Sequence, residues 1–189
     1  MHASTEYPSA IAVLLAEDRL PPLGPGTANE RVRQQLATLK ADAVFAPRPV
    51  RDQNMAAACL AAMWLYHDFL DESHKIAQEI ETPEGSYWHG LMHRREPDFS
   101  NAKYWFRRVG QHAIFEPLRL FAAETVTAVR QQRESAFLAT QTAWDPFAFI
   151  DLCESAYHGR SKTELLCRQV QKREWELLFD YCYRRAIGG

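Results

Sequence analysis

MAAACLAAMWLYHDFLDESHKIAQEIE, residues Met55 to Glu81, contains neither proline nor glycine and is built mostly of alanine, leucine, methionine and charged helix formers, so its reading decides the fold. The composition predicts one long helix. Asp52 or Asn54 is placed to cap its start, and Thr82-Pro83-Glu84-Gly85 stops it, because proline disfavours helical geometry in the residue before it and glycine supplies a turn. At about 100° of rotation per residue, one face carries Ala58, Leu65, Phe69, Ile76 and Ile80. The opposite face starts apolar with Leu60, Met63 and Trp64 and continues as His67, Asp71, His74 and Gln78. A helix apolar on both faces of its first half belongs in the centre of a domain, which draws the polar continuation inward as well.

The next segments repeat the pattern. In a helix over Ser86 to Glu96, His89, His93 and Glu96 fall at i, i+4 and i+7, with Pro97 closing it. In a helix over Pro146 to His158, Asp151, Glu154 and His158 fall at i, i+3 and i+7, with Gly159 as a stop. The first two stripes lie on consecutive helices joined by a short turn, so His67, His74, His89 and His93 are expected to face one another within ligand reach. Asp151 and His158, distant in sequence, are expected to stay outside that region.

Three chemistries fit such stripes. Neutral imidazole and carboxylate suit zinc, iron, manganese or nickel, and two ligands one turn apart can chelate one ion. His89-x-x-x-His93 is the best pair. The zincin signature needs glutamate directly after the first histidine, where this chain has Gly90, and the paired Glu-x-x-His of di-iron bundles is missing. A metal-free pocket is the second reading, with His67 or His74 oriented by Asp71 as a general base. No G-x-S-x-G elbow surrounds a serine and no cysteine sits in a nucleophile motif. The third reading is a buried network in which the histidines hydrogen-bond to Asp68, Asp71, Glu72, Glu96 and backbone carbonyls. The sequence leaves all three open.

Between Asp98 and Gly110 a short helix is expected, capped by Asp98 or Ser100 and ended by Gly110. Arg94, Arg95, Arg107 and Arg108 could combine into an anion-binding patch with Trp88, Tyr104 or Trp105 as a stacking wall, for a phosphate, a carboxylate or a sugar acid. Against this stands the commoner outcome of solvated or salt-bridged arginines. The segment TPEGSYWHGLMHRREPDFSNAKYWFRRVGQH, with its motif W-H-G-x-x-H-R-R-E-P-D-x-x-N-A-x-Y-W, resembles a family of uncharacterised bacterial and fungal proteins. The likeness implies no activity and assigns no role to any residue.

A chain of 189 residues, 47% hydrophobic and 12% aromatic, can bury a core without staples. Net charge is −2 with 17 arginines and 5 lysines, so no global cationic field points to nucleic acid. Cys59, Cys153, Cys167 and Cys182 lack C-x-x-C spacing and are read as buried thiols. The apolar run Ile11 to Ala16 is too short for a secretory signal or a membrane span, so the cytoplasm is the expected location and no membrane partner is expected. Further helices are expected over Ser9 to Asp18, Asn29 to Leu39, Glu116 to Arg133 and from a Ser161 cap through Tyr183, with Lys40 to Arg51 as an extended connector. The expectation is a single all-α domain over 1–189, an irregular helical bundle of about six to eight helices around a long central helix. Its leading functional reading is a His/carboxylate pocket for a small polar or anionic ligand or a divalent metal. The alternative is a helical interaction or structural protein with no active site.

Overall fold

The stretch from Met55 to Glu81 forms two helices rather than one. In the computed structural model, which describes residues 7–128 and 133–189, α4 (Gln53–Tyr66) ends at His67 and α5 (Leu70–Ala77) starts three residues later. Asp68 makes the break, with a left-handed φ of 65°. Aspartate tolerates that region better than most residues, and tertiary partners hold it there. The Asp68 carboxylate receives Arg95 and, at 2.7 Å, Arg19. Asn29 donates its backbone N–H to the His67 carbonyl at 3.0 Å. No proline or glycine marks this interruption, so the helical periodicity was carried through it into the wrong register.

The other helices are α1 (Ser9–Leu14), α2 (Arg33–Ala37), α3 (Ala41–Val44), α6 (Pro83–Arg95), α7 (Phe99–Val109), α8 (Phe115–Ala128), α9 (Phe137–Thr140), α10 (Pro146–Tyr157) and α11 (Glu164–Ala186). Seven helices, α4 to α8 together with α10 and α11, have eight residues or more. Among the described residues there is no strand, and no helix is long and apolar enough to cross a membrane. The connector over Lys40 to Arg51 contains the single turn of α3. The last helix begins at Glu164, with Thr163 rather than Ser161 at its N-cap. Residues 129–132 of the helix expected over Glu116 to Arg133 lie outside the described residues, and Arg133 itself belongs to a 3-10 turn.

α4 is central, as its all-round apolar surface requires: Met55 to Leu65 is buried except at Ala57 and Leu60. The Asp52 carboxylate caps it by accepting from the N–H groups of Asn54 and Met55. α11 packs across α4, α8 and α10, while α6 packs against α4, α5 and α7. The most enclosed element is α6, where every residue from Glu84 to Arg95 is buried. A helix with two arginines, two histidines and a glutamate can be buried only if those groups find partners. Arg94 pairs with Glu174 and donates to Gln171, Arg95 pairs with Asp68 and donates to the Gly24 carbonyl, and Tyr87 donates to Glu174 at 2.9 Å. All four cysteines are buried free thiols.

Candidate metal centre

Two glycines set the approach of the elements that build the site. A Cβ on Gly85 would lie 2.1 Å from the Ile80 carbonyl oxygen, so glycine lets the chain double back tightly from α5 into α6. A Cβ on Gly90 would lie 2.9 Å from the Phe106 ring, so its absence brings α7 close to α6. Thr82 caps α6 through the Gly85 N–H, with Pro83 in the first turn. The result places His74 of α5 against His89 and His93 of α6, one turn apart.

One ligand nitrogen from each of His74, His89 and His93 lies within 4.8 Å of the others. The His89 and His93 rings stack at 4.8 Å, and His74 meets their edges at 4.6 and 5.2 Å. Trp105 of α7 stacks on His89 at 3.8 Å. Glu96 accepts from His93 Nδ1 at 3.1 Å, which fixes the proton on that nitrogen and leaves Nε2 as the acceptor. The Asn101 amide lies against the same ring, 3.1 Å from Nε2. His89 Nδ1 is buried with no hydrogen-bond partner among the described residues.

Burial depresses the pKa of His89 to about 3, with the neighbouring His93 and His74 adding to the effect. Burial also lowers His93, against the opposing pull of Glu96. At neutral pH both are therefore neutral and carry lone pairs, the form that binds metal. The stability consequence has a definite sign. Above the unfolded pKa of about 6.5 neither folded nor unfolded chain protonates His89, so its contribution is constant. Below it the unfolded chain takes up a proton that the folded chain refuses until about pH 3, so stability falls as pH drops through that window. Denaturant midpoints should be level above about pH 7 and decline on acidification, and His89→Ala should flatten the decline between about pH 6.5 and 4. A parent profile already level over that range would contradict the neutral, buried assignment.

The remaining candidates go elsewhere. His67 is buried beneath α1, with Nε2 2.9 Å from the Leu14 carbonyl and Nδ1 3.3 Å from Asn29 Nδ2; it serves as a core hydrogen-bonding group because the break at Asp68 turns it away from His74. Asp71 is exposed on α5. Asp151 pairs with Lys103, Glu154 with Arg160, and Glu154 and His158 line a surface cleft with Phe99, Lys103 and Arg107. The third stripe thus stays apart from the first two.

The four arginines have separate environments. Arg94 and Arg95 are ion-paired in the core, Arg107 is exposed, and the exposed Arg108 lies over the Trp105 ring at 5.2 Å. Trp88 is buried against Trp175 rather than lining a wall, and Tyr104 is exposed beside Trp105.

Sequence reasoning missed Glu84 and His112. The His112 ring holds the Glu84 carboxyl down at about 2, with their atoms 3.8 Å apart, and the ring packs on Tyr181. Glu84 looked like part of a turn, and a lone histidine in a loop gives no periodic signal. Compared with known proteins, the chain matches no family model, no curated protein and no solved structure.

Proposed function

We propose that His74, His89 and His93 bind one divalent transition-metal ion, with zinc the best fit to an all-imidazole donor set. The observation that carries this reading is the buried, unpartnered His89 Nδ1 within a group of three imidazoles. Buried polar nitrogens normally find partners, and unsatisfied ones cost about 1–3 kcal/mol. Among the described residues no hydrogen bond joins the three imidazoles, which repel when charged, whereas a shared cation would engage one nitrogen of each, in His93 by displacing the Asn101 amide if Nε2 is the ligand. A zinc–imidazole bond of about 2.0–2.1 Å puts tetrahedral ligand nitrogens roughly 3.4 Å apart. The rings therefore close by roughly an ångström on binding, a change within the reach of side-chain torsions.

Glu96 fits the role of the outer carboxylate that orients a metal-bound histidine through its second nitrogen. The motif that carries the resemblance to uncharacterised bacterial and fungal proteins includes His89, His93, Glu96, Asn101 and Trp105, five residues that meet around this group.

The test is elemental analysis of protein purified without chelator, followed by titration with zinc, iron(II), manganese and nickel. The expected result is about one ion per chain, lost in a folded His89→Ala/His93→Ala variant and retained in His67→Ala and His158→Ala. Protein that binds no divalent ion, or that binds it equally well without His89 and His93, overturns the proposal.

A further inference from the structure

We propose that Cys153 of α10 and Cys167 of α11 form a reversible disulfide by exchange with a small-molecule disulfide, tying the two helices together. Contact is the first argument. Both thiols are buried at 0% exposure. Cys153 donates a hydrogen bond to the Cys167 sulfur, and Cys167 donates to Thr163 Oγ1 at 3.7 Å. Two sulfurs already in contact across packed helices reach bonding separation by side-chain rotation, without movement of either helix. Cys182, by contrast, has Trp88 as its hydrogen-bond partner.

Reactivity is the second argument, because the thiolate is the form that attacks a disulfide. The hydrogen bond from Cys153 holds the Cys167 thiol below its usual range, with Thr163 and the charge of Arg94 acting in the same sense against burial. Burial holds Cys153 well above that range. The pair thus divides into an attacking sulfur, Cys167, and a resolving one, Cys153. Access is the third argument. Cys167 lies one turn into α11, whose N-cap Thr163 makes no side-chain cap bond and whose first residues, Glu164 and Leu165, are exposed. An uncapped helix end opens locally at far less cost than the whole domain. Thr163 Oγ1 is also 2.6 Å from Ser161 Oγ, so hydroxyls lead from the thiols toward the surface. In the exchange, Cys167 releases its proton to solvent and its sulfur attacks the small disulfide, which expels one thiolate and leaves a mixed disulfide. The Cys153 sulfur, deprotonated in turn, attacks Cys167 Sγ and expels the second thiolate. The two thiolates take up the two protons, so two protein thiols are oxidised while one small disulfide is reduced to two thiols.

The test incubates the folded protein with excess oxidised glutathione, alkylates the remaining thiols in denaturant, and reads intact mass and disulfide-linked peptides. The expected result is the loss of two of the four free thiols, in one linked peptide pair that joins Cys153 to Cys167. The thermal midpoint should rise on closure, and dithiothreitol should reverse both changes. Cys153→Ser, checked by circular dichroism, should stop at a single glutathione adduct on Cys167. The Cys59→Ser/Cys182→Ser variant should close the bond as the parent does. Four free thiols after incubation, or a bond that involves Cys59, Cys182 or a second chain, overturns the proposal. An adduct carried by Cys153 in Cys167→Ser overturns the division of roles.

Discussion

Replacing Glu174 by alanine should cost the folded state about 3–5 kcal/mol, a large share of the ~5–15 kcal/mol that stabilises a typical domain. Glu174 is fully buried at 0% exposure and holds Arg94, itself 1% exposed, while accepting from the Tyr87 hydroxyl. Alanine leaves the guanidinium charged and buried without its carboxylate, and its Nη1 already has no hydrogen-bond partner among the described residues. The Tyr87 hydroxyl loses its acceptor in the same step. The penalty comes from an abandoned charge rather than from the worth of the pair, because buried ion pairs roughly break even against apolar residues of like volume. The double variant Glu174→Met/Arg94→Met should therefore recover much of the loss. Urea unfolding with unchanged slope is the measurement. A single-variant loss under about 1 kcal/mol would show that water reaches the pair and that α6 is less enclosed than its burial indicates.

That ion pair also shows where sequence reading stops. Helix positions were legible because their signals are local: Pro83, Pro97 and Gly110 bound α6 and α7, and the i, i+4 spacing of His89 and His93 survives in any straight helix. Arg94 and Arg95 read as part of an anion-binding patch or as solvated or salt-bridged arginines, and the ion pairs they form could not be named because Glu174 and Asp68 are far away in the sequence. Charge pattern carries no information about which distant carboxylate will meet which guanidinium. The break at Asp68 fails for the same reason. Its left-handed backbone is stabilised by Arg19 and Arg95 rather than by a neighbouring glycine, so the local sequence still reads as helix. His67 then lost its place in the stripe and His74 kept its own, since α5 restarts after the break in a new register and the Gly85 turn folds it onto α6.

His89→Ala separates the metal reading from a purely structural one, and its effect should appear only when metal is present. Zinc held at about a thousandfold above its dissociation constant stabilises a folded-state binder by about 4 kcal/mol, so the parent protein should gain a shift of that size. His89→Ala should lose most of it. Without metal the same substitution removes two opposing contributions. The stack on Trp105 is worth about 0.5–1.5 kcal/mol, while the buried, unpartnered Nδ1 costs about 1–3 kcal/mol. The metal-free variant should thus equal the parent or exceed it, the pattern expected where binding groups have been kept at the expense of stability. His93→Gln is the complementary variant, since its amide can still reach toward Glu96 while its donor set no longer matches imidazole; it should retain metal-free stability and lose the zinc response. If the histidines serve only the fold, the outcome inverts: His89→Ala lowers stability by about 1–3 kcal/mol in the absence of metal, and zinc leaves the midpoint of the parent where it was. The sign of the metal-free change and the size of the zinc-dependent one together decide between the two.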